Sequence, residues 1–165
     1  MLRALTLACL VTAAVTTAAA PAAAAPVSPG TASYLTGHPG GTIVAPNEIS
    51  YDGGRFVVTL TPPVQPPVQD PQHTTAYVDC PKGWFCFYDR PDFGYPRGKL
   101  SSCSWQSLAT YDWQDRVESA YYNLDRGAVQ FFDYGTGLFT VGVGYRSIAY
   151  VGSAMNRATD VYRYC

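Results

Sequence analysis

The chain has little of what several common functions need. It contains two histidines, His38 and His73, only 14% charged residues, and a formal net charge of -1. Lysine and arginine form no cluster. Such clusters neutralise phosphates and carry nucleic-acid binding, so nucleic acid is not an expected partner. Neither a His-Glu-x-x-His pair nor a glycine-rich phosphate loop is present, which removes zinc-peptidase and nucleotide chemistry. His38 lies beside Pro39 and His73 beside Thr74, in segments that read as irregular. Neither is expected to be held as the base a nucleophile requires. Acid pairs such as Asp112 and Asp115 fall on turns, where carboxylates are solvated and unsuited to glycoside hydrolysis. The expectation is that this protein is not an enzyme.

What the sequence does have begins at its first residues. "MLRALTLACLVTAAVTTAAAPAAAAPV" carries Arg3, then an uncharged apolar run, then small residues, which is the layout of a secretory signal peptide. We place it at residues 1–24, cut between Ala24 and Ala25, with Ala22 and Ala24 supplying the small residues. No later run approaches the roughly 20 apolar residues of a membrane helix. A secreted, extracellular and monomeric protein is expected, with no membrane contact after signal removal.

Export governs how cysteine is read. Cys9 leaves with the signal, and Cys80, Cys86, Cys103 and Cys165 remain. An even set in an exported chain favours disulfides. Of three connectivities we expect Cys80–Cys86, a short loop turned by Pro81 and Gly83, with Cys103–Cys165 tying mid-chain to the last residue. Structural zinc sites use closely spaced pairs; Cys80 and Cys86 are too far apart for that, and the other two are isolated.

Thirteen Tyr, seven Phe, three Trp and fifteen Gly suit a β domain rich in tight turns. Residues 25–79 read as a Pro/Gly-rich extension. Within it, "NEISYDGGRFVVTL" (47–60) has the alternation and the Asp-Gly-Gly turn of a β-hairpin. "TPPVQPPVQDPQ" (61–72) is a linker of polyproline type. From 80 to 165, short apolar-aromatic runs recur between turns, "WFCFY", "GKLSSC", "ESAYYNL", "AVQFF", "LFTVGVG", "IAYVG" and "DVYRY", and "SWQSLATY" allows one helical turn. That spacing indicates an all-β antiparallel sandwich. The row Tyr111, Trp113, Tyr121 and Tyr122 could face a glycan, but such residues more often pack core and cross-strand neighbours.

The domain also repeats itself. "FYDRPDFGYPRGKL" from Phe87 aligns with "FFDYGTGLFTVGVG" from Phe131, matching Asp89 to Asp133. "QDRVESAYYN" from Gln114 aligns with "MNRATDVYRY" from Met155, matching Arg116 to Arg157 and Tyr121 to Tyr162. Two units of about 40 residues, each of some four strands, would make one small domain.

The aromatic spacing Tyr88–Phe93 in "YDRPDF", with Gly94 following, resembles the Greek-key motif of βγ-crystallins. Phe132, Gly135, Gly137 and Phe139 hold the same place loosely in the second unit. More narrowly, "CPKGWFCFYDRPDFGYPRGKLSSCSW…QDRVES" resembles a family of secreted bacterial peptidase inhibitors of that fold. The resemblance implies a βγ-crystallin-like sandwich of two Greek keys, and inhibition of an extracellular metalloproteinase. The alternative it implies is a calcium-binding structural or cell-envelope module without inhibitory activity. In the characterised branch the reactive loop lies in the second half, closed by its own cysteine pair. This chain has no such pair, so its inhibitory loop stays unassigned. No cofactor is required. Ca2+ is a candidate ligand because the βγ-crystallin signature N/D-N/D-x-x-S/T-S is half kept in each unit, by Asp115 and Ser119 in the first and Asn156 and Thr159 in the second.

Overall fold

The computed structural model describes residues 26–63 and 79–165. The expected signal peptide, His73 and most of the proline-spaced linker lie outside them.

The first element among the described residues is a helix, α1 (Pro29–Gly37). Ser28 caps it, its Oγ accepting from Thr31 N at 3.1 Å, and Pro29 occupies the first turn, where a missing N–H costs nothing. Three strands follow: β1 (Thr42–Ala45), β2 (Glu48–Tyr51) and β3 (Phe56–Thr59). The hairpin anticipated over 47–60 is the β2–β3 pair, turned at Asp52–Gly54. The helix and β1 correct the expectation that the rest of the extension is irregular. Capping and tertiary packing override a helix sequence, PGTASYLTG, that contains two interior or terminal glycines.

The remaining strands are β4 (Trp84–Arg90), β5 (Gly94–Leu100), β6 (Ser104–Ser107), β7 (Ser119–Asn123), β8 (Ala128–Asp133), β9 (Thr136–Gly142), β10 (Ser147–Ile148) and β11 (Asp160–Tyr164). "SWQSLATY" ends in a single 3-10 turn at Leu108–Tyr111. "IAYVG" keeps only its first residue in a strand, since β10 stops at Ile148. Two antiparallel sheets form, in the orders β1-β2-β3-β5-β4-β7-β10 and β6-β11-β8-β9. The first unit (β4–β7) sends its third strand, β6, to the second sheet. The second unit (β8–β11) sends its third strand, β10, to the first. This reciprocal exchange is the βγ-crystallin-like pairing of two Greek keys, and among the described residues the fold is all-β apart from α1 and the 3-10 turns.

The extension is part of that fold. β3 pairs with β5 in register from Phe56↔Leu100 to Thr59↔Arg97, lengthening the first sheet by three strands. Ile49, Tyr51, Phe56 and Val58 enter the same buried cluster as Phe85, Phe87, Trp113, Tyr122 and Phe131. Phe56 is fully buried, stacked on Tyr111 at 4.2 Å and edge-on to Trp113 at 6.1 Å. A lone hairpin is marginal in water; this one is held by core aromatics. Gly98 makes the approach feasible, because a Cβ there would come within 2.4 Å of the Phe87 ring.

Both expected disulfide partners meet. Cys80 is joined to Cys86 with Cα atoms 5.8 Å apart, and Cys103 to Cys165 at 6.0 Å. The second bridge links the residue before β6 to the residue after β11, two strands that are direct neighbours.

Candidate functional site

The sequence repeat has a structural cause. Each unit folds its first hairpin back and fixes it from the opposite end of the same unit. In the first, Glu118 N donates to Tyr88 O at 2.8 Å and Arg116 grips Asp89 through Nε (3.2 Å) and Nη2 (2.9 Å). In the second, Thr159 N donates to Phe132 O at 2.8 Å and Arg157 Nε meets Asp133 Oδ2 at 3.1 Å. The matched positions Asp89/Asp133 and Arg116/Arg157 are thus two copies of one ion pair.

The copies differ in setting. Arg116 also lies over Trp113 at 4.6 Å. Burial would lower its pKa, but the hydrogen bond and charge of Asp89 outweigh that and raise it. The Arg157 side chain is 58% exposed.

Four residues were singled out for calcium. Ser119 is fully buried; its Oγ donates to Arg90 O (2.8 Å) and accepts from Phe93 N (3.0 Å). Thr159 Oγ1 accepts from Tyr134 N (2.9 Å) and lies 2.7 Å from Asp160 Oδ2. The two signature stretches do touch. Asp115 N donates to Ala158 O at 3.1 Å, and Asn156 Nδ2 donates to Glu118 Oε1 at 2.7 Å. Ca2+ requires six to eight converging oxygens, carboxylates among them. Here both hydroxyls close hairpins, Asn156 turns its amide nitrogen to Glu118, and no group of three or more metal-ligating side chains converges among the described residues, so the residues present do not fit the ion.

His38 overturns one expectation, because it is firmly held. Its ring stacks on Tyr34 at 3.9 Å, Nδ1 lies 2.9 Å from Tyr34 O, and Nε2 lies 2.9 Å from Asp112 Oδ2. Helix α1 and the 3-10 turn bring together residues 74 positions apart in a way the local sequence did not signal. Tyr51 adds a bond from its hydroxyl to His38 O at 2.9 Å. With both ring nitrogens facing oxygen acceptors, no edge is left to serve a nucleophile. His38 is a clamp between the extension and the domain.

Tyrosines with shifted acidity give no general acid or base near neutrality. Burial pushes Tyr51 up to about 12. Burial raises Tyr88, and burial with the hydrogen bond to Asp79 raises Tyr95. The row Tyr111, Trp113 and Tyr122 is buried, and Tyr121 packs against Phe93. These are packing residues.

What remains exposed is concentrated in the second unit. The β8–β9 tip carries Tyr134, 83% exposed. The excursion between β10 and β11 (149–159) exposes Tyr150 and Met155, yet it is pinned. Val151 is buried and its N–H donates to Glu118 O at 2.9 Å, while Glu118 Oε1 holds Asn156. Met155 N closes a turn onto Gly152 O at 2.9 Å. The Asp133–Arg157 pair then ties this loop to the Tyr134 tip. The sequence hinted at this only through the length of the stretch between its last two runs.

Residues 73–138 match the model of peptidase inhibitor family I36. The match covers the Cys80–Cys86 loop, the whole first unit, β8 and the start of β9, and leaves out the meander β1–β3 and the 149–159 loop. No curated protein gives a match. Among solved structures, the N-terminal domain of protein S is similar over 49% of this chain and 94% of its own, at 10% identity and a TM-score of 0.39.

Proposed function

We propose that this is a secreted, extracellular inhibitor that binds a peptidase, with a metalloproteinase as its target. The family match supports the general activity, and the characterised branch that the Cys80–Trp105 stretch resembles supports the target class. Two disulfides suit an oxidising extracellular compartment.

The observation that carries the reading is the pinned rim formed by Tyr134 and the loop 149–157. A protein that occupies a protease cleft must present exposed side chains on backbone that loses little freedom on binding. In relatives of this kind a cysteine pair can provide that rigidity. Here Glu118 holds the loop at two points and the Arg157–Asp133 pair holds its far end. Tyr150 and Met155 are the apolar side chains it offers.

The test is a panel of extracellular metalloproteinases and serine peptidases assayed with the secreted protein. Inhibition of a metalloproteinase is expected, and Met155→Asp should raise the inhibition constant about thirtyfold or more, the weight of an interface hot spot. Its melting temperature should stay unchanged, since Met155 is exposed. No inhibition of any member at micromolar protein would sink the proposal, and inhibition that survives Met155→Asp and Tyr150→Asp would remove the rim from it.

A further inference from the structure

The outer face of the four-stranded sheet is unlike the rest of the surface. Strand register places Trp105 (β6), Tyr162 and Tyr164 (β11), and Gln130 and Phe132 (β8) on it. Trp105 lies 4.6 Å from Phe132 and 5.3 Å from Tyr162, and Tyr162 lies 4.7 Å from Tyr164. Trp105 is 56% and Tyr164 48% exposed, while Phe132 and Tyr162 are half-buried between them. Two rings are therefore open to solvent and two brace them from the side. The Cys103–Cys165 bridge fastens the two strand ends that carry the open rings, so the pair is pre-organised.

The chemistry around these rings is neutral and polar. Tyr164 donates its hydroxyl proton to Gln130 Oε1 at 3.0 Å, leaving the Gln130 amide N–H groups free to donate. That amide lies over Gly137, where a Cβ would come within 2.6 Å of it; the glycine keeps the face open. The one carboxylate on the same register, Asp160, is engaged by Thr159 Oγ1. Trp105 also borders a cleft of about 260 Å3 whose wall includes Ser102, Gln106 and Thr110 and, on its far side, the ion pair of Asp52 and Arg55 at 3.5 Å; Gln106 is fixed by a bond from Nε2 to Ser102 O at 2.8 Å.

We propose that this face binds a neutral polysaccharide chain, with Trp105 and Tyr164 stacking on sugar rings and the Trp105 cleft taking one further residue. Sugars combine apolar C–H faces with a rim of hydroxyls, which is what open aromatic rings beside amide and hydroxyl groups complement. On the sheet face itself no cation lies among the described residues, and the one at the cleft, Arg55, is paired with Asp52 at 3.5 Å, which argues against an anionic polymer. This surface shares no residue with the rim proposed to meet a peptidase, so the two activities can be lost separately.

The experiment is retention of the secreted protein on insoluble cellulose, xylan and chitin, followed by titration of Trp fluorescence with soluble oligosaccharides of whichever polymer retains it. Binding is expected to at least one polymer. Trp105→Ala and Tyr164→Ala should each weaken it about tenfold, the scale of one aromatic stacking contact. Both should leave any peptidase inhibition unchanged and lower the melting temperature only modestly, since each ring gives up packing on its half-buried neighbours, and Met155→Asp should leave polysaccharide binding unchanged. The proposal is overturned if no neutral polymer retains the protein, or if Trp105→Ala binds as tightly as the parent. It is equally overturned if sedimentation shows a dimer that Trp105→Ala dissolves, since the face would then be a contact between copies.

Discussion

The two Greek keys have one topology and opposite surroundings. In the first, the second strand, β5, is covered along its outer edge by β3. In the second, the equivalent strand, β9, ends its sheet with no further partner among the described residues. The first unit is sealed at its other flank too, where Cys80, Cys86 and Tyr88 are buried under Trp84, Phe93, Tyr95 and Tyr121. Arg97, only 2% exposed, reaches from β5 to Asp79 at 2.7 Å and to Thr59 at 2.7 Å, joining both covering segments. The second unit keeps Tyr134, Tyr145, Tyr150 and Tyr164 in solvent. A repeated fold thus divides its labour through what is added to each copy. The first copy is absorbed into structure except at β6, whose Trp105 stands on the outer face of the second sheet, and the second copy presents most of the remaining exposed aromatics.

The largest test of this contrast removes the cover. Phe56→Ala should cost about 3–5 kcal/mol, because it empties the contact among β3, Tyr111, Phe87 and Trp113. Denaturant unfolding followed by Trp fluorescence measures it. A loss below about 1 kcal/mol would mean that the meander decorates the first unit without stabilising it.

A second test sets the matched ion pairs against each other. Arg116→Met should cost about 2 kcal/mol, since the guanidinium bonds Asp89 twice and covers Trp113. Arg157→Met should cost less than about 1 kcal/mol, as exposed pairs do. Equal losses would erase the distinction between buried and presented halves.

The smallest effect concerns the clamp. Tyr51→Phe removes the bond to His38 O and should cost about 1 kcal/mol at neutral pH. Burial holds Tyr51 up at about 12 against an ordinary 10.0. The folded state therefore favours the neutral phenol. This contribution is complete below pH 10 and is lost as pH rises from 10 to about 12. Thermal melts across that range should fall less steeply for Tyr51→Phe than for the parent protein.

Several of these features could be read directly from the sequence. The spacing of the apolar runs marks most strands, Asp52-Gly53-Gly54 marks the β2–β3 turn, and the alignment of Asp89 with Asp133 and Arg116 with Arg157 marks positions that are later found paired. Other features had a faint signal that propensity outweighed. Ser28-Pro29 with Thr31 is a helix start, yet the glycines and the proline-rich neighbourhood favoured an irregular reading. Calcium went the other way. Asp115, Ser119, Asn156 and Thr159 keep half a signature, but a signature specifies residue types and not the direction of their oxygens. The hydroxyls turn inward to close hairpins.

By itself the sequence determined the all-β class, the two-unit repeat and the Cys80–Cys86 loop, because strand periodicity, turn chemistry and short-loop spacing are local properties; Cys103–Cys165, 62 residues apart, followed only as the remaining pair. Only the tertiary structure decided which aromatics are core and which are surface. Tyr111 and Trp113 look no different from Trp105 and Tyr164 in composition. Trp113 lies under the extension, against Phe56, and Trp105 stands on the outer face of a sheet that nothing covers among the described residues. That difference depends on β3 crossing some 40 residues of chain to pair with β5, a long-range contact that no local pattern encodes.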